Sequence, residues 1–266
     1  MKPSTTWKKR LIAALLLSLS LVVLLSGCRK ESAPSTSGEP TASSAVSGTD
    51  GASSPSPDAQ SPSPEAHEVD TDPTSVTVLV NKQYALPDNY NPEDLVYPDV
   101  PFLFKEKIEK RMMRKEAAAA LEKLFAAAKE DGIYLAGVSA YRSHATQTAL
   151  FNRYVAKDGE EKAKTYSAVP GHSEHETGLA IDVSGSDGKF AAEPSFAGTP
   201  EAEWLAAHAA DYGYIIRYPE GKDAITGYTY EPWHIRYVGE AIAKDIASKG
   251  STLEEYYGAV PASSQQ

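Results

Sequence analysis

Ser173-Glu174-His175-Glu176-Thr177-Gly178-Leu179-Ala180-Ile181-Asp182-Val183 is the stretch on which the reading of this chain turns. Its polar half reads as a loop, Gly178 as a turn, and Leu179 to Val183 as a strand. Side chains alternate across a strand, so Asp182 faces away from its apolar neighbours Ile181 and Val183. A carboxylate placed inside such a strand needs a counter-charge or a metal. A second segment, Glu231-Pro232-Trp233-His234, sets an acid and an imidazole at the start of another strand. His175, Asp182 and His234 together would make a three-ligand zinc site with an open fourth position. Glu231 is then the spare carboxylate, available to take a proton from an attacking water. Each residue alone also has an ordinary explanation as a satisfied structural side chain.

Working outward, the elements form an α+β pattern. Val76 to Val80 is a short β-branched run. Lys105 to Asp131 reads as a helix stopped by Gly132, and Ile133 to Ala140 as a strand. Ser143 to Lys157 is a helix with Ser143 at its N-cap. Thr199-Pro200 opens a helix that ends at Gly213. Tyr214 to Tyr218 and His234 to Val238 are strands, and Gly239 to Lys249 closes the domain as a helix before Gly250. Strands and helices do not alternate regularly, which argues against a doubly wound parallel sheet.

The chain has 266 residues and a formal net charge of -10, with a single cysteine. One cysteine excludes an internal disulfide and a cysteine-rich metal cluster. The acidic balance argues against a nucleic-acid binder. Lys2, Lys8, Lys9 and Arg10 precede an uncharged apolar stretch, Leu11 to Leu25, of signal-peptide rather than membrane-spanning length. Leu25-Ser26-Gly27-Cys28 follows and resembles a bacterial lipobox. Residues 1–27 are therefore expected to be a lipoprotein signal peptide. Cys28 would be the lipidation site, anchoring the chain on the extracytoplasmic face of the cell membrane. Without residues 1–27 the charge becomes 22 minus 36, or -14. In residues 29–75, 33 of 47 are Ser, Thr, Pro, Ala or Gly, so residues 28–75 are read as a disordered tether. Residues 76–258 are the expected domain and 259–266 a disordered tail. His67 reads as a solvated side chain of the tether.

Residues from about Asn81 to Tyr257 resemble the VanY-type D-alanyl-D-alanine carboxypeptidases, zinc peptidases of bacterial cell-wall metabolism. The resemblance is carried by Asn81-Lys82-Gln83-Tyr84-Ala85-Leu86-Pro87 and by Ser139-Ala140-Tyr141-Arg142-Ser143 with Gln147. It continues in Pro170-Gly171-His172 leading into Ser173 to Asp182, and in Glu231-Pro232-Trp233-His234. It implies a single small α+β domain, shared with the Hedgehog signalling domain, whose mainly antiparallel central sheet is flanked by helices. It implies zinc on His175, Asp182 and His234, with Glu231 as the catalytic base. It places Arg142, Gln147 and Ser173 where the family binds the substrate's terminal D-residue. Glu176 stands where Gln is the more usual residue.

An Arg142 guanidinium can hold a free C-terminal carboxylate through paired charge-assisted hydrogen bonds, which would restrict cleavage to chain ends. The alternative for Arg142 is a structural ion pair at a strand end. Gln147 could instead be an exposed helix residue, and Ser173 could only cap the turn before His175. Gly171 to His175 lacks the last glycine of a nucleophile elbow, which disfavours a serine hydrolase. The leading expectation is a D,D-carboxypeptidase acting on peptidoglycan stem peptides with a free C-terminal D-alanine. The alternatives are an L,D-carboxypeptidase acting on tetrapeptide stems, or a non-catalytic zinc-containing wall-binding lipoprotein. The chain is read as a monomer.

Overall fold

The computed structural model describes residues 67–260. The expected signal peptide, Cys28 and most of the tether lie outside the described residues. Among those described, no helix is long and apolar enough to cross a membrane.

Two short strands, β1 (Leu95–Val96) and β2 (Met113–Arg114), pair antiparallel ahead of the first helix, α1 (Lys115–Glu130). Then follow β3 (Leu135–Ser139), α2 (His144–Asp158), α3 (Glu160–Tyr166), β4 (Ala180–Gly185) and α4 (Pro200–His208). The chain ends with β5 (Tyr214–Ile216), α5 (Asp223–Thr226), β6 (His234–Tyr237), α6 (Glu240–Lys249) and α7 (Leu253–Tyr256). The central sheet has the order β3-β4-β6-β5 and every pairing in it is antiparallel. This is the α+β architecture that the sequence implies.

The two faces of the sheet differ in chemistry. Ile181 pairs with Ile235 and Tyr214 with Tyr237, so these residues share one face and join the main apolar core. Helix α1 contributes Ala117, Ala118, Leu121, Leu124, Phe125 and Ala128 to that core, at the spacing of a single helical stripe. On the opposite face Asp182 lies across from His234, and Ala180 across from Arg236. The smaller apolar cluster, with Leu79, Ile215, Val238, Ile246 and Leu253, also contains Ile215, the cross-strand partner of Arg236.

Three local expectations are corrected. The helix expected from Lys105 starts only at Lys115. Before it, the carbonyls of Lys110 and Met112 are taken by the amides of Ala140 and Tyr141, which holds that stretch beside the end of β3. Val76 to Val80 is buried from Val78 onward but forms no strand, because the carbonyls of Val76 and Val78 accept from the Arg236 guanidinium instead of a neighbouring strand. The helix opened by Pro200 relaxes into a 3-10 turn over Ala209–Tyr212 before Gly213.

The folded unit also begins before the boundary at 76 expected from composition. Val69 packs on the smaller cluster, and Asp70 accepts from the Leu79 amide and the Thr77 hydroxyl. His67 stacks on Tyr256 with ring centroids 4.3 Å apart. At the other end Ala259 packs on the same cluster.

Candidate metal centre and its cleft

The loop ahead of β4 turns at Gly178, whose φ of +68° favours glycine. A Cβ there would also lie 2.9 Å from Leu95. This turn sets a 3-10 segment, Glu174–Thr177, beside the start of the strand and carries His175 to Asp182. Asp182 and His234 face each other directly across β4 and β6, so strand register alone brings them together.

Ligand atoms of His175, Asp182 and His234 all lie within 4.8 Å of one another. His234 Nδ1 is 2.9 Å from Asp182 Oδ1, and His175 Nε2 is 3.4 Å from Asp182 Oδ2. Each imidazole is oriented through its other nitrogen. His175 Nδ1 is 2.8 Å from the Ala140 carbonyl, and His234 Nε2 is 3.4 Å from Glu174 Oε2. Two nitrogens and a carboxylate oxygen, converging and oriented from behind, are a donor set that suits zinc.

The electrostatics follow from burial. Burial raises the Asp182 carboxyl, but the two imidazoles outweigh it and hold the group well below the usual carboxylate range. Burial lowers His175 despite Asp182. Burial also opposes the charge on His234, but hydrogen bonds to Asp182 and Glu174 prevail and raise it to about 9. Burial pushes Glu231 up to about 7, against the pull of His234 and with the charges of Asp182 and Glu174 adding to it.

His175, Asp182, His234, Glu231, Arg142 and Ser173 all line one cavity of about 320 Å³. Arg142 is held from behind: its Nη1 donates to Gln147 Oε1 at 2.8 Å, and Gln147 Nε2 donates to the Ala168 carbonyl. No carboxylate pairs with Arg142 among the described residues, so the structural ion pair is absent there. Gln147 is 1% exposed and does not line the cavity, so it is neither an exposed helix residue nor a wall of the site. Ser143 caps α2 by accepting from the Thr146 amide, which starts the helix that presents Gln147. Ser173 makes no side-chain capping bond to its turn. Glu176 is buried, accepts from the Gly171 amide and meets His144 at 2.9 Å, so it ties the loop without reaching the triad.

A group that the sequence reading missed lies under the triad. Glu174 Oε1 accepts from Arg217 Nε at 2.7 Å and from Arg236 Nη1 at 2.8 Å. Glu254 binds Arg217 through both carboxylate oxygens, at 2.6 and 2.9 Å, and accepts from Asn81 at 3.0 Å. Both arginines are fully buried. The available signal was charge inside apolar strands: Arg217 follows Ile215-Ile216, and Arg236 sits between Ile235 and Tyr237.

Fold and site thus define a class, an α+β domain with three converging metal-ligating donors in an open cavity, and comparison with known proteins gives the family and its activity. Residues 110–240 match the family model VanY, D-alanyl-D-alanine carboxypeptidase. YodJ of Bacillus subtilis is 53% identical over 185 residues, covering 70% of this chain and 68% of that protein. The bifunctional D-Ala-D-Ala dipeptidase and carboxypeptidase VanXYC of Enterococcus gallinarum is 35% identical, covering 67% and 92%. Among solved structures, the LdcB LD-carboxypeptidase is 51% identical with a TM-score of 0.69, covering 74% of this chain and 92% of that one. The L,D-carboxypeptidase DacB of Streptococcus pneumoniae is 43% identical with a TM-score of 0.53, covering 68% and 85%. A vancomycin-resistance D,D-pentapeptidase VanY in complex with Zn(II) is 34% identical with a TM-score of 0.54, covering 68% and 98%. The chain belongs to the VanY carboxypeptidase family.

Proposed function

We propose that this chain is a zinc-dependent carboxypeptidase that removes a C-terminal D-alanine from peptidoglycan stem peptides. The observation that carries the reading is the convergence, in one cavity, of the His175–Asp182–His234 donors, the Glu231 carboxyl and the Arg142 guanidinium. Bound zinc supplies Lewis acidity at an open position. Glu231 takes the proton of the attacking water and returns it to the departing amine. Arg142, fixed by Gln147, holds the terminal carboxylate, and an internal peptide bond offers none. Ser173 supplies a further hydrogen-bonding group on the same wall. A purely structural metal site has no use for Glu231, which weighs against the non-catalytic reading.

Two bonds answer this description. The D,D bond was the first expectation. The solved relatives at 51% and 43% identity are L,D-carboxypeptidases, whereas the D,D-pentapeptidase stands at 34%. That ordering supports the L,D bond of a tetrapeptide stem. Tetrapeptide and pentapeptide stems, followed by mass spectrometry with zinc added and chelated, test both steps. D-alanine released from the tetrapeptide alone is the expected result. Release from the pentapeptide alone returns the reading to D,D, and release unaffected by chelation removes zinc from it.

The N-terminal pattern supports export and lipid attachment at Cys28, with the domain outside the cytoplasm. A Cys28→Ser chain that still partitions with membranes and carries lipid would exclude this.

A further inference from the structure

Beside the cavity holding the triad lies a second hollow of about 250 Å³. Four residues line both, among them His172 and Tyr228, so the two hollows share a wall. Arg142 lines only the first hollow, and Lys82 and Lys164 line only the second. The two lysines differ. Lys164 is spent on Glu160, 2.6 Å away, and Glu161. Lys82 has no carboxylate partner among the described residues; it is an exposed residue, and what burial it has lowers its ammonium pKa with no acid to offset that.

Lys82 is nevertheless held in place. Asn81 Oδ1 accepts from the Gln83 and Tyr84 amides, at 2.8 and 3.0 Å, closing a tight turn around it. The other end of the Asn81 amide is anchored on Glu254. The aliphatic stem of Lys82 lies along Gly227, where φ is +78° and a Cβ would come within 3.0 Å of Lys82 Cδ. Its Nζ stands 4.8 Å over the ring of Tyr228, a residue that also lines the cavity of the triad. Of the acids in that cavity, Glu174 is engaged by two arginines and Asp182 by two histidines, and burial pushes Glu231 up to about 7. An ordered, uncompensated cation at the edge of a substrate cleft is a recognition point for an anion.

We propose that Lys82 binds a carboxylate carried by the substrate on the acyl side of the scissile bond, making the enzyme selective for stems whose acyl-side carboxyl groups are free rather than amidated. The inference rests on the carboxypeptidase reading, in which Arg142 takes the terminal carboxylate and the rest of the peptide occupies the remaining cleft. Arg142 and Lys82 then read two different carboxylates.

The test uses two peptides ending in D-alanine that differ only in whether the acyl-side carboxyl groups are free or carboxamide. For the native enzyme kcat/KM is expected to favour the acid form by about 10-fold, mainly through KM. Lys82→Met keeps the stem and removes the charge, so it should bring kcat/KM on the acid peptide down to that on the carboxamide peptide, and Lys82→Arg should restore part of the difference. Equal cleavage of both peptides by the native enzyme overturns the proposal, as does a Lys82→Met loss that falls equally on both. If neither peptide is cleaved, the carboxypeptidase reading fails. Calorimetric binding of the same pair then decides the subsite separately, with tighter binding of the acid form by the native chain alone supporting it and equal binding refuting it.

Discussion

The charged face of the central sheet has two halves that solve the same problem differently. Below, Glu174 and Glu254 meet Arg217 and Arg236, two anions against two cations, with close hydrogen bonds throughout. Above, His175, Asp182 and His234 converge with their donor atoms turned on one another and Glu231 beside them. The lower half is closed, since its partners are supplied by the chain. The upper half is open, since its donors can be shared with an ion from outside. Buried charge is costly in either case, and the difference lies in whether the counter-charge is built in or recruited. Glu174 belongs to both halves, because one oxygen serves the arginines while the other faces His234.

The largest effect is expected in the closed half. Arg217→Met leaves both glutamates without their shared cation and should cost about 3–5 kcal/mol, read from urea unfolding of the whole chain. A loss under ~1 kcal/mol would show that the lattice is not a structural keystone. In the open half, Glu231→Gln should lower turnover by at least ~100-fold while zinc content and melting temperature stay at native values. Turnover near native would remove Glu231 from the chemistry. Glu174→Gln sharpens the comparison at the shared residue. It should weaken zinc affinity by about 10-fold in competition with a chromogenic chelator, and an unchanged affinity would separate the two halves. Arg142→Ala should reduce kcat/KM by about 10-fold on peptides with a free C-terminus. If the native enzyme cleaves C-terminally amidated peptides equally well, the carboxylate clamp is refuted.

Much of the open half was legible in the sequence. His175, Asp182 and His234 sit in short segments whose turn and strand positions can be read directly, and the antiparallel register of β4 and β6 does the rest. Arg142 was picked out through the family resemblance and not through its position, which lies between the end of β3 and the N-cap Ser143. The closed half was not. Asn81, Glu174, Arg217, Arg236 and Glu254 are scattered along the chain, and nothing local says that they meet. The same gap explains the failure at Val76–Val80, where β propensity fits a strand but Arg236 takes the carbonyls. Gln147 shows a subtler limit. Its helix was correctly read, yet only the tertiary structure reveals that it serves Arg142 from behind.

The bond between Asn81 and Glu254 joins residues 173 positions apart, and Arg236 reaches back 158 positions to Val78. Closing contacts of that separation carries a large loop entropy, which must be met before the contacts repay it. The arginine lattice therefore acts as a clasp between the two ends of the domain. Its Glu174 also orients His234, so the metal cradle gains its final support only when that clasp shuts. Readiness for catalysis is in this sense a report that the whole chain, from Asn81 to α7, is present and folded.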